Sequence, residues 1–268
     1  MDWKNCGRSK PDKALLEEVL VNKRFHWSRL LLTVAAATAI SIVPLPSYAA
    51  RQGDAKPQET VAVFGGSMTD GWLDPRNDSF VRRAFRQRSA DTGTNYRYLN
   101  YAIPGYTAQR FNEIFPGKYE AILGTTKPEV VVIAWGLEND MNSRYRDSVN
   151  TFGSQVHQEI DQALSHHSVV LLVTPPVTQL LETKDRFEVN RYITELFKEG
   201  DSFHNMNVVN LDVYHQMQAY MRDHHQTYRL YYGNRWHPNE KGHELAGHIL
   251  ASDLNRTFGN SLIQWRSP

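Results

Sequence analysis

Five short apolar runs recur along the chain: TVAVFGG (60–66), RYLNYAI (97–103), EVVVIAWG (129–136), SVVLLVTP (168–175) and NVVNLDV (207–213). The third and fourth are continuous Val/Ile/Leu stretches with no polar alternation, the pattern of strands covered on both faces in a parallel sheet. Between the runs lie segments with apolar residues at helical spacing, such as 79–89, 148–164 and 186–198, and a last helix is predicted from about 239 to 254. Alternation of strand and helix predicts a doubly wound α/β domain: three layers, α/β/α, around a parallel sheet of about five strands. No internal repeat or low-complexity tract interrupts it.

In such a sheet ligands bind beyond the carboxyl ends of the strands, so the residues that follow each run matter most. The first run ends in Gly65-Gly66-Ser67. Ser67 stands where a nucleophile on a tight turn would stand, and equally where a helix cap would; these residues alone favour the cap. The second run leads into a Pro104-Gly105 turn, and the third into Gly136, Asn139 and Asp140. Near the C-terminus, GNRWHPNEKGHE places His237 just before the last helix.

Read together, these four blocks resemble the SGNH (GDSL-like) hydrolase family, in the family's order and across 64–243. The resemblance implies a flavodoxin-like hydrolase fold with Ser67 as nucleophile and His237 as general base. It implies an oxyanion hole from the backbone N–H groups of Ser67 and Gly105 and the side-chain amide of Asn139. It asks for no metal and no cofactor. The residue types suit acyl transfer, because a serine hydroxyl needs a base and the tetrahedral intermediate needs fixed donors. Three departures stand out. Gly66 replaces the Asp of Gly-Asp-Ser. The block Gly136-Leu137-Glu138-Asn139-Asp140 carries one residue more than Gly-x-Asn-Asp, so Asn139 reaches the hole only if the loop bulges. Asn234 occupies the position of the Asp three residues before the His. An amide can accept the imidazole N–H but cannot stabilise imidazolium by charge. This leaves open a Ser67–His237 dyad helped by Asn234 or a backbone carbonyl, a slow enzyme, or a non-catalytic descendant.

Other candidates divide as follows. Trp72, Tyr106 and Trp236 fall in predicted loops and are candidates for an apolar or sugar-stacking wall; Trp135 ends a buried strand and reads as core. Asp70 reads as support for the turn after Ser67, and Asp140 as a loop residue beside Asn139. HELAGH (243–248) is not a zinc helix, since its histidines are five apart rather than four; His243 reads as a helix-surface residue. His166-His167 and His224-His225 fall at predicted helix ends.

The N-terminus breaks the pattern. Basic residues precede a 14-residue apolar stretch (30–43), and Ser47-Tyr48-Ala49 fits a signal-peptidase site. The expected organisation is an export signal over 1–49, a polar linker over 50–59 and the hydrolase domain over 60–268, with an uncleaved membrane anchor as the alternative. Residues 1–49 hold seven Lys/Arg and four Asp/Glu, so their removal takes the net charge from +1 to −2. It also takes Cys6, the only cysteine, leaving no disulfide or thiol chemistry. Neither charge suggests a nucleic-acid partner. The expected function is a secreted or cell-surface serine esterase acting on an acyl or acetyl ester of a small molecule or glycan. The alternatives are an O-acyltransferase on a wall or exopolysaccharide sugar, or a glycan-binding descendant. Membrane contact is expected only during export or through the anchor, and the oligomeric state is open.

Overall fold

The computed structural model describes residues 58–141, 148–183 and 186–267. The leader, its cleavage point and residues 50–57 of the expected linker lie outside the described residues.

Five parallel strands form the sheet: β1 (Gln58–Gly65), β2 (Asn95–Asn100), β3 (Val130–Ala134), β4 (Val169–Val173) and β5 (Val208–Leu211), in the order β2-β1-β3-β4-β5. This is the flavodoxin-like order, whose switch point lies between β1 and β3. β3 and β4 are buried at every position, as their unbroken apolar runs predict. β1 starts at Gln58, two residues inside the expected linker; Glu59 is buried there, and Gln58 and Glu59 extend the ladder opposite Asn95 and Tyr96.

Nine helices are described: α1 (Ser67–Asp70), α2 (Phe80–Thr92), α3 (Ala108–Ile114), α4 (Lys118–Thr126), α5 (Val149–Ser165), α6 (Gln179–Thr183), α7 (Arg186–Ser202), α8 (Val213–Asp223) and α9 (Glu240–Phe258). α2, α8 and α9 pack as one group, and α3, α4, α5 and α7 as the other, giving the layers on either side of the sheet. Side chains that suit caps start several of them: Ser79, Thr107, Ser148, Asp212 and Asn239 each accept from an N–H of the first turn. His166 and His224 close α5 and α8, and His167 and His225 adopt left-handed φ just beyond.

The C-terminal tail is tied to the fold by one buried cation. Arg88, fully enclosed on α2, donates to Tyr96 Oη (2.8 Å), Asn255 Oδ1 (2.8 Å), Gly259 O (3.0 Å) and Ser261 O (2.5 Å). Four acceptors offset the cost of burying a guanidinium, which would otherwise be several kcal/mol.

Candidate active site

β1 delivers Ser67 as the first residue of α1, directly beyond the switch point. Its N-cap, Gly66, has no side chain to satisfy the helix's first N–H groups, so the α1 N-terminus offers donors toward the crevice. The second donor comes from a tight turn. Tyr106 N–H bonds Ile103 O at 3.2 Å, with Pro104 and Gly105 between. Gly105 has φ of +80°, the value required at the third position of a type II turn. The turn closes through Tyr106, so its own hydrogen bond does not use the Gly105 N–H.

The loop after β3 bulges as the extra residue requires. Leu137 takes a left-handed φ of 56°, and Glu138 N–H closes on Gly136 O at 2.6 Å, a three-residue turn. The inserted residue is absorbed there, and Asn139 returns to the crevice. Its Nδ2 donates to Tyr106 O at 3.0 Å and lies 3.3 Å from where a Cβ of residue 66 would stand, beside the Ser67 turn. An amide nitrogen has two hydrogens, so one remains after the Tyr106 bond.

The loop before α9 brings His237 onto Ser67. His237 Nε2 lies 2.9 Å from Ser67 Oγ, and Nδ1 lies 3.0 Å from Asn234 Oδ1. The same Asn234 oxygen accepts from the backbone N–H groups of Trp236 (2.8 Å) and His237 (3.0 Å). Backbone N–H groups only donate, so this atom is the carbonyl oxygen of the amide, and Nδ1 must carry the proton. Nε2 is then left with a lone pair aimed at the Ser67 hydroxyl, the tautomer that base catalysis needs. Burial, with His243 behind it, lowers the His237 pKa to about 4.

The sequence model of the GDSL-like lipase/acylhydrolase family matches residues 63–245, more than half of the chain. The chain belongs to this family. Among curated proteins no sequence relative was found. Solved structures share the fold. A lipase/acylhydrolase from Enterococcus faecalis is 22% identical, with a TM-score of 0.58 over 76% of this chain and 99% of its own. A catalytic mutant of Axe2, an acetylxylan esterase from Geobacillus stearothermophilus, is 16% identical, with a TM-score of 0.59 over 80% and 99%. LAE5, described as an α/β hydrolase enzyme from the metagenome of Lake Arreo, is 15% identical, with a TM-score of 0.61 over 77% and 98%.

Around the site of this GDSL-like hydrolase the three aromatic candidates differ. Trp72 is 40% exposed, and its ring centroid is 5.9 Å from that of His237. Trp236 is half-buried, with the Arg235 guanidinium 5.5 Å over its ring. Tyr106 departs from expectation: its ring is buried, stacked on Phe115 and capped by Arg110, so it cannot form a wall to the crevice. Only its backbone serves the site, by receiving Asn139. Trp135 is core, its indole N–H on Glu159, and Asp70 accepts from Asn100 beside the Ser67 turn.

His243 is also corrected. It is fully buried, accepting from Phe80 N–H at Nδ1 (3.3 Å) and donating from Nε2 to Trp72 O (3.2 Å). It therefore holds the loop that carries Trp72 over His237. Its face was legible: Ala246, Gly247 and Leu250 follow it at helical spacing and are all buried. His248, by contrast, is exposed beside Gln87.

Proposed function

We propose that the protein is an exported serine esterase that removes an acyl or acetyl group from a small-molecule or glycan ester. The observation that carries this reading is the chain of contacts from Ser67 Oγ through His237 to Asn234 Oδ1, facing the Asn139 amide at the switch point. In the proposed reaction, Ser67 attacks the ester carbonyl as His237 Nε2 takes its proton. The oxyanion is held by the N–H groups of Ser67 and Gly105 and by the free hydrogen of Asn139 Nδ2, each worth roughly 3 kcal/mol in related sites. The imidazolium returns its proton to the departing alkoxide, and water then repeats the sequence on the acyl-enzyme.

Asn234 fixes the ring but adds no charge, so His237 is a weak base and, once protonated, a strong acid. Proton removal from Ser67 is then the demanding step, whereas protonation of the leaving alkoxide is easy. Trp72 offers an exposed flat face beside the imidazole, suited to stacking a sugar ring. This fits a glycan ester and parallels the acetylxylan named for one structural neighbour. Export follows from the leader: residues 1–49 are removed and the protein acts outside the cytoplasm.

Incubation with p-nitrophenyl acetate, with and without a sugar acceptor, tests the activity. Hydrolysis alone supports the esterase, acceptor-dependent acetyl transfer points to a transferase, and inertness of a folded sample points to a binding protein. For export, the mature N-terminus of secreted material should be Ala50; membrane-bound protein that keeps residues 1–49 would show an anchor instead.

A further inference from the structure

The residue that makes the third block longer than the family pattern is itself held in a specific contact. Glu138 is buried beneath the Asn139 loop, with Oε2 3.1 Å from where a Cβ of Gly136 would stand. Oε1 lies 3.0 Å from the hydroxyl of Thr178, the fully buried residue just before α6. Thr178 Oγ1 also accepts from Leu181 N–H at 3.3 Å, so its own hydrogen is free to donate to Glu138. One residue along, Leu180 N–H donates to Arg235 O at 2.8 Å. Arg235 lies between Asn234 and His237. Hydrogen bonds at Thr178 and Leu180, joined through the backbone at the start of α6, thus connect the loop carrying Asn139 to the loop carrying His237.

From this juxtaposition we propose that Glu138 is a positioning residue that couples the Asn139 loop to the His237 loop through Thr178 and α6. The inference rests on the esterase reading for its kinetic consequence but not for the coupling itself. Burial holds the Glu138 carboxyl well above the usual carboxylate range, and Asp140 beside it pushes the same way. Burial thus favours the neutral acid at this bridge, whose shape and acceptor glutamine reproduces. Had Glu138 supplied the negative charge missing at Asn234, glutamine would not replace it.

Two measurements on Glu138→Ala and Glu138→Gln decide the matter. In hydrogen exchange of the folded protein, Glu138→Ala should lose protection in 136–141 and also in 179–183 and 235–238, and Glu138→Gln should restore all three. With p-nitrophenyl acetate, Glu138→Ala should lower kcat about 10–100-fold, as expected for displaced catalytic groups, with KM within about twofold; Glu138→Gln should recover most of that loss. Thr178→Val, which keeps the shape and removes the hydroxyl, should repeat the paired loss, and it serves if Glu138→Ala does not fold. Loss of protection confined to 136–141, or a glutamine variant as impaired as the alanine, overturns the proposal. If Ser67 of the folded parent fails to react with a fluorophosphonate, the esterase reading falls, and the exchange pattern alone still decides the coupling.

Discussion

Two histidines in this molecule have the same local geometry and opposite chemistry. At 212–215 and at 234–237 an Asx residue stands three positions before a histidine. In each case one side-chain oxygen accepts the histidine's backbone N–H, from His215 at 3.1 Å and from His237 at 3.0 Å. In each case an oxygen of the same side chain meets Nδ1, at 2.8 Å and 3.0 Å. The first partner is Asp212, and the second is Asn234. Asp212 raises the His215 pKa above its usual value, and the His215 ring faces Asn190 Oδ1 on its other side. His237 has no carboxylate, and burial drives it down to about 4. Geometry alone therefore does not make a catalytic pair. The charged version holds α8 against α7, and the neutral version faces Ser67, the proposed nucleophile. The Asp-x-x-His spacing typical of the family occurs in this chain, but at the N-cap and first turn of α8 rather than before α9.

The largest expected effect tests whether the second histidine serves a nucleophile at all. Ser67→Ala should abolish fluorophosphonate labelling and lower esterase kcat by about 10⁴-fold or more; labelling that persists at another residue would remove the site from this crevice. Next, Asn234→Ala deletes an oxygen that receives three N–H groups. It should cost about 10²-fold in kcat/KM, because the ring loses both its tautomer and its turn. A loss under about threefold would show that a backbone carbonyl orients the ring instead.

Asn234→Asp converts the second pair into the first and is expected to gain. The imidazolium formed during attack would acquire a carboxylate, raising kcat/KM by about tenfold at neutral pH. The pH profile should move with it. The base acts when neutral, so the parent's kcat/KM should rise with pH through about 4 and be flat at neutrality. In the Asp variant that rising limb should shift upward, as the Asp212 carboxylate shifts His215 upward. An unmoved limb would mean that His237 is not the titrating base.

The smallest effect is on the other pair. Because His215 is raised in the folded state, it contributes stability that is present below its unfolded pKa and is lost as pH rises through the folded value. Burial pushes Asp212 up, but the bonds from His215 outweigh it and hold the carboxyl below its usual value. Its contribution is present above the unfolded carboxylate pKa and is lost as pH falls through the lowered one. Asp212→Asn should therefore lower Tm by about 2 °C near pH 6 and by less near pH 9, with esterase rate unchanged. An equal shift at both pH values would show that only the cap at Asp212 matters.

How much of this was readable in the sequence follows the range of the interactions. The sheet was legible because β3 and β4 are wholly apolar and the first four strands are followed closely by Gly, Pro or Asn. The long helices were legible from their spacing. The segments 108–126 and 213–223 were not picked out: α3 and α4 are short, and α8 follows β5 with only Asp212 between them. Ser67, Gly105, Asn139 and His237 were nominated by strand ends and by resemblance, and the fold does bring them to one crevice. Tyr106 failed as a wall because position in a loop says nothing about burial; its ring turns inward onto Phe115. The Glu138–Thr178 contact spans 40 residues and two loops, and no local pattern encodes it.

The closing contacts of the fold also set a schedule. Ser67 and His237 are 170 residues apart, and the Arg88 bonds to Gly259 and Ser261 span 171 and 173 residues. A chain emerging from its N-terminus, from a ribosome or through a membrane pore, presents Ser67 long before His237. Throughout that interval the Arg88 guanidinium lacks three of its four acceptors, those on Asn255, Gly259 and Ser261, and α2 lacks the helix that covers it. High sequence separation of this kind slows folding and leaves apolar surface open during synthesis. Under the proposed mechanism, reactivity at Ser67 is thereby withheld until nearly the whole domain has been delivered, and an interrupted chain is born inert.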